Sequence, residues 1–466
     1  MDNASDIGAF APLAEGFPAA TREAWAALAQ KALKGASLDT LQRTGFDGVV
    51  VQPLYARGEA GPSAAPPVRE AWDIRVDIPA TPDAPQLALA ALAGGASSLI
   101  LDAHDGGAML DQTLAGVLLD VAPVALDAGF AGPAAAQALS AAAKASPAAP
   151  LAFHLDPLSA LARCGASPGP IASQIAVAAR TAASLQQTHP RASLFLASGL
   201  ASHEAGGSPA QELAFALACA VAYAKALAAA GLSLQQAWAA VVIELAAEAQ
   251  PLTAIPKLRA ARALWTRVTQ ACGVTAPLRL QVRSSRRMLT RADVATNLVR
   301  LTAAGFSAVV GEADAIVIDP FDAAVSESPS PLARRQARNI QLVLAEESGL
   351  RGAGDPAAGA WAFEALTDHT ARAAWTQFQQ IERLGGAEAA LVSGHVAKSV
   401  EAARANLQGR LADRSLRIVG VTDFVSGEPP AARREPTPTP PQEAARLPGP
   451  NTLCPPLADV RLEDLA

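Results

Sequence analysis

The sequence predicts a (β/α)₈ barrel with an amino-terminal extension and a disordered, proline-rich carboxy-terminal tail, on three observations. Short apolar runs recur through the middle of the chain; helical stretches separate most of them; and the apolar content is small and aliphatic. Hydrophobic residues make up 51% of the 466 positions, aromatic residues 4% and charged residues 17%. That composition suits helices packed on an aliphatic core. The chain is long enough for one large core or two to three domains.

Seven runs read as strands: Ser98–Asp102, Pro123–Asp127, Leu151–Asp156, Ser193–Ala197, Val241–Glu244, Leu278–Arg283 and Ala315–Asp319. They are apolar without clean alternation, as strands covered on both faces by helices should be. Segments such as Gln211–Ala230 and Arg291–Ala304 supply the helices. Strand alternating with helix in this number predicts the barrel. The eighth strand is expected between Asp156 and Ser193. The barrel is placed at 86–424. Residues 1–85 form the extension, with a helix near Thr21–Lys34 and a strand at Gly48–Pro53. Residues 425–466 form the tail: from Gly427 onward ten of forty residues are proline, too many for helix or sheet.

Bulk properties exclude several classes. The net charge is −6, so no basic stripe is available to displace counterions from a nucleic acid. Cys164, Cys219, Cys272 and Cys454 contain no CxxC pair, which argues against a disulfide framework or zinc site and fits a cytoplasmic protein. The start, Met-Asp-Asn-Ala-Ser-Asp, lacks the basic and apolar regions of a signal peptide. The apolar stretch Leu213–Leu232 contains Lys225 and is mostly alanine, and is expected to be a buried helix with no membrane contact. No phosphate-binding glycine loop, nucleophile elbow or histidine pair at helical spacing is found.

Most of the predicted strands finish on a charged residue: Asp102, Asp127, Asp156, Glu244, Arg283 and Asp319. In a barrel that end faces the ligand. The competing reading is that they cap the following helices or bridge one another at the rim.

Longer strings carry a resemblance. Ala333–Gly349, ARRQARNIQLVLAEESG, resembles A-R-x-x-R-N-x-Q-L-I-L-Q-E-E-S-G of the adenosylcobalamin-dependent methylmalonyl-CoA mutases. Asp355–Gly359 with Phe363–Thr367 is similar to that family's D-P-W-G-G-S-Y-x-x-E-x-L-T. Ile381–Gly386, Ile418–Val421 and Lys257–Trp265 resemble its I-E-x-x-G-G, I-V-G-V-N and K-x-R-A-x-R-x-L-W, in the same order. These strings are mostly scaffold, and identify a fold more securely than a chemistry.

Where the family is catalytic, this chain departs from it. The family's S-G-Y-H-M-Q-E-A-G, whose tyrosine and histidine lie against the substrate thioester, resembles Ser198–Gly206, SGLASHEAG. Leu200 stands at the tyrosine position and Ala201 at the histidine position, and neither side chain donates a hydrogen bond. His203 falls two residues late. The family's W-T-I-R-Q-Y-A-G-F resembles Trp72–Asp77, with Asp77 in place of its second tyrosine. The R-N-T-Y-I-x-P stretch has no counterpart. The resemblance therefore implies a non-catalytic small subunit, paired with a large subunit that binds adenosylcobalamin and interconverts (R)-methylmalonyl-CoA and succinyl-CoA. It also implies that residues up to about Arg57 wrap the partner.

The family's cobalamin domain, with a cobalt-binding D-x-H-x-x-G loop, is not expected after the tail. Asp102-Ala-His104-Asp-Gly-Gly107 matches that string at what reads as the first barrel strand, and is taken as a coincidental rim loop. A barrel that has lost the coenzyme A arm is expected to fill its axis with side chains. Two rival readings are a barrel with its own acyl-CoA or cobalamin binding, using Asp102 and His104, and a transient assembly factor of the mutase.

Overall fold

The computed structural model describes residues 20–56, 71–425 and 446–466. Eight parallel strands close into a barrel: β1 (Asp73–Ile78), β2 (Ser98–Asp102), β3 (Val124–Asp127), β4 (Leu151–Leu155), β5 (Ser193–Ser198), β6 (Val241–Ala247), β7 (Leu280–Ser284) and β8 (Ala315–Val317). Each pairs with its neighbours in sequence, and β8 closes on β1 through Ile316↔Ile74. All seven predicted strands are present. The eighth is not between Asp156 and Ser193, where the chain forms the helices Pro157–Cys164 and Ile171–Thr188. It is β1, inside the segment assigned to the extension, so the barrel begins at Asp73.

The reason is chemical. Along β1, Asp73, Arg75 and Asp77 alternate with Ile74, Val76 and Ile78, a pattern that reads as a strand wetted on one face. The polar face looks instead into a polar barrel axis, where Arg75 is buried.

Helix starts are written in the sequence. Asp156-Pro157, Ser208-Pro209 and Ser330-Pro331 each place a capping oxygen before a proline in the first turn. Proline lacks only an N–H that has no intrahelical partner there. Ser208 and Gln211 complete a reciprocal capping box. The helix begun there, Pro209–Ala229, is the one described helix long and apolar enough to cross a membrane. Here it is packed between the barrel wall and the helix Trp361–Arg383.

The strings that carry the family resemblance meet in space. Arg259, buried in the helix Pro251–Ala271, donates to both carboxylate oxygens of Asp355, from Nε at 3.0 Å and Nη2 at 2.8 Å. It also donates to Glu364 at 2.9 Å and Thr367 at 3.1 Å. One guanidinium thus ties two separated strings together, and its planar fork suits that task as a lysine would not.

The predicted tail is corrected in part. Residues 426–445 lie outside the described residues. Residues 446–466 do not form a disordered tail but lie as a strap on the ends of the loops that follow β4, β5 and β7. Thr452 O accepts from Ser167 N at 3.0 Å, and Leu457 N donates to Ala162 O at 2.7 Å. Val460 N donates to Glu204 O and Leu462 N to Arg287 O, both at 2.8 Å. Glu463 accepts from the backbone N–H groups of Arg291 and Ala292. Proline withholds donors but leaves carbonyls and neighbouring N–H groups free to dock.

Of the extension, residues 1–19 and 57–70 lie outside the described residues. The helix Arg22–Ala32 starts on a Thr21 cap, as predicted near Thr21–Lys34. The predicted strand at Gly48–Pro53 is reduced to Val50–Val51, paired antiparallel with Arg43–Thr44.

Candidate functional site: the barrel axis and its mouth

Strand alternation sends Arg75, Ser98, Ile100, Ala125, Ala152, His154, Glu244, Gln281, Arg283 and Val317 to the axis, and all are buried. Ile100, Ala125, Ala152 and Val317 form an apolar cluster there. Beside it runs a polar chain. Arg75 donates to Ser98 Oγ at 2.9 Å and to Gln281 Oε1 at 2.6 Å. Gln281 donates to Glu244 at 2.6 Å, and Glu244 accepts from Ser198 Oγ at 2.7 Å. Above that, Arg283 spans to Asp77 in a fork at 2.5 and 2.9 Å. Five strands therefore contribute to a chain of charges and amides across the axis.

Leu200 and Ala201 open the short helix Leu200–Glu204 directly after β5; both are buried, and Ala201 packs in the main apolar core. Asp77 is at the carboxyl end of β1. Burial pulls its carboxyl up, but the Arg283 charge and hydrogen bonds, with Arg286 behind, hold it below its usual range. It is an ionised partner of arginine, with no free proton to give. Ser284 and Arg286 hold Asp319 at 2.7 and 2.9 Å. Of the strand-end charges, Asp156 caps a helix and Glu244, Arg283 and Asp319 bridge, as the capping-and-bridging reading has it.

The loop Asp102–Gly107 follows β2, the second barrel strand and not the first. His104 Nδ1 lies 2.8 Å from Asp102 Oδ1, and Nε2 faces Asp127 Oδ1 at 3.7 Å. The Asp102 hydrogen bond, less the cost of burial and with help from Asp127, raises the imidazole above its usual value. A cobalt ligand needs an unprotonated, unobstructed ring nitrogen. Here Asp102 orders the ring through Nδ1, while Nε2 faces Asp127 across 3.7 Å, beyond hydrogen-bond distance. No group of three metal-binding side chains occurs among the described residues.

His203 belongs to a second, buried cluster that sequence reasoning did not anticipate. Its Nε2 lies 2.8 Å from Ser285 Oγ and its Nδ1 3.0 Å from Glu212 Oε2. Those distances are the ones a hydroxyl nucleophile, base and orienting acid would have. Yet Ser285, His203 and Glu212 are all solvent-inaccessible, and Lys257 donates to the same Glu212 oxygen at 2.6 Å. Although burial pushes Glu212 up, Lys257 and His203 hold it at about 2. Arg287 and Glu248 form a further buried pair at 2.5 Å. This is an ion-pair knot with no entry path, and it holds the rim together.

Two groups near the axis are strained or displaced in charge. His154 sits at the register shift of β4 with φ 47°. Burial, with Arg75 adding, drives its imidazole down to about 3. Asp156 accepts from Ser159 N and from the Tyr223 hydroxyl, yet burial raises it to about 7.

The fold and axis define a class: a (β/α)₈ barrel whose axis is crossed by a chain of buried charges and amides and whose fifth strand leads into Leu200 and Ala201. Comparison with known proteins gives the particular family. The methylmalonyl-CoA mutase family description matches residues 103–446, and the chain belongs to that family. It is 37% identical over 462 residues to the methylmalonyl-CoA mutase small subunit of Streptomyces virginiae, covering 92% of this chain and 74% of that one. The probable small subunit of Mycobacterium tuberculosis H37Rv is 36% identical over 390 residues, 79% of this chain and 62% of that one. The large subunit of Propionibacterium freudenreichii is 32% identical over 238 residues, half of this chain and 33% of that one. The chain thus spans between three fifths and three quarters of the length of these two small-subunit relatives.

Proposed function

We propose that this chain is the non-catalytic small subunit of an adenosylcobalamin-dependent methylmalonyl-CoA mutase. It supports, by pairing with a large subunit, the interconversion of (R)-methylmalonyl-CoA and succinyl-CoA carried out there, with the coenzyme on the partner. The observation that carries this reading is the arginine-centred chain Ser98–Arg75–Gln281–Glu244–Ser198 across the barrel axis. A substrate arm threading the barrel would have to break it. Each arginine or carboxylate left unpaired in a buried site costs on the order of 3–5 kcal/mol. The apolar Leu200 and Ala201 and the arginine-bound Asp77 point the same way, since none can act on a thioester carbonyl.

The chain's own part is to bury a face of its partner and stabilise the pair by mass action. The helix Arg22–Ala32, none of whose residues is buried, is one described part of the extension assigned to that contact. Expression of the chain with and without a mutase large subunit tests the reading. A salt-resistant one-to-one complex that isomerises (R)-methylmalonyl-CoA, beside an inactive lone chain, is the expected result. Separate elution of the two chains at all salt concentrations would overturn it.

A further inference from the structure

We propose that a small oxyanion of the inorganic phosphate class binds in a cavity among the outer helices of the barrel, at the start of the helix His395–Ala412. Three helices wall that cavity: Pro209–Ala229 through Gln211, Trp361–Arg383 through Gln377, and His395–Ala412 through His395 and Ser399. Ser202, in the short helix Leu200–Glu204, reaches it from the rim. The space measures about 270 Å³ with its open mouth included. That is below the roughly 300–1,000 Å³ of a site for a larger organic ligand, and it suits an ion of a few heavy atoms.

Its walls supply donors and lack charged acceptors. Ser202 is fully buried, and its Oγ has no hydrogen-bond partner among the described residues. A buried hydroxyl is costly to leave unpaired, so an unmet one in a cavity wall marks a missing ligand. The helix His395–Ala412 begins without the usual satisfiers of its first N–H groups. Its cap residue Gly394, left-handed at φ 73°, has no side chain to offer, and the first turn holds no acidic residue. The N–H groups of His395 and Val396 and the positive end of the helix dipole are thereby left for an anion. Ser399 Oγ accepts from Gln211 Nε2 at 2.8 Å, which leaves its own proton to donate. No aspartate or glutamate lines the cavity, and Glu382, next to the lining residue Ile381, pairs with Lys225 at 3.6 Å. A cation would find no carboxylate here, and an apolar molecule would leave Ser202 unmet. Further along the same helix, Leu407 and Leu411 belong to the cluster against which Phe46 of the extension and Leu462 of the strap pack, so the ion sits at the root of the element that holds both.

Isothermal titration of the full chain with sodium phosphate, at constant ionic strength balanced by chloride, tests this. The expected result is saturable binding of one ion per chain in the millimolar range, displaced by sulfate and not by coenzyme A, whose phosphates are carried on a bulk the space does not take. Ser202→Ala removes a hydroxyl that no protein group uses, so the urea midpoint should hold while phosphate affinity falls by about tenfold or more, the loss of a hydrogen bond to a charged group. Gln377→Glu, at a half-buried position, sets a carboxylate against the ion and should abolish binding, which gives a second reading should the first variant fold poorly. Absence of saturable phosphate binding, displacement by coenzyme A, or wild-type affinity in either folded variant would overturn the proposal.

Discussion

At the scale of single residues, Asp156 and His154 make opposite contributions to stability as pH changes. Asp156 has its folded value raised to about 7 from 3.8. The folded protein therefore binds that proton more tightly than the unfolded chain, and stability falls as pH rises from about 4 to about 7. His154 is lowered to about 3 from 6.5, so its contribution is present above about 6.5 and is lost as pH falls toward 3. Asp156→Asn keeps an oxygen for Ser159 N and the Tyr223 hydroxyl while removing the charge. Its stability relative to wild type should climb between pH 4 and 7, by up to about 4 kcal/mol at roughly 1.4 kcal/mol per unit. Denaturant titrations of both proteins across that range check it; a pH-independent difference would contradict the assignment. The carboxylate at 156 was visible in the sequence as a strand-end charge. Its partner Tyr223, 67 residues later, was not, because nothing local links a core helix tyrosine to a loop acid.

At the scale of elements, the helix Pro209–Ala229 depends on its first turn. Ser208 caps it, and Asp47 from the extension bonds Ser208 and the Ala210 N–H. Ser208→Ala should cost about 0.5–2 kcal/mol by the loss of a cap and loosen the extension as well. Faster proteolysis at Arg43 together with a lower unfolding midpoint would be the measurable outcome. The apolar run of that helix was legible in the amino-acid pattern alone. So were seven strands, because strands buried on both faces read as continuous apolar runs. β1 escaped because its inward face is charged, and the strap escaped because proline-rich composition says how a segment cannot pair with itself, not whether another surface receives it. In the rim knot, Arg287→Ala should cost about 3–5 kcal/mol, since Glu248 would stay buried without its cation and His203 O and Gly207 O would lose their donor. Chemical denaturation measures that directly.

At the scale of the whole molecule, side chains from five strands link across the barrel axis, from Ser98 through Arg75, Gln281 and Glu244 to Ser198. The family strings kept by the sequence are those that knit helices together, as Arg259 does with Asp355, Glu364 and Thr367. On the proposed reading, the strings altered are those at the mouth. Restoring two side chains does not reopen an axis: Leu200→Tyr with Ala201→His is expected to leave the lone chain without isomerase activity under a standard coupled assay. Turnover from that double variant would show the interior to be less of a barrier than its ion pairs imply.

The central claim is that no coenzyme A arm enters this barrel. Equilibrium dialysis of the lone chain against labelled methylmalonyl-CoA measures that most directly. The account predicts no saturable binding up to millimolar concentration, whereas stoichiometric binding in the micromolar range would contradict it.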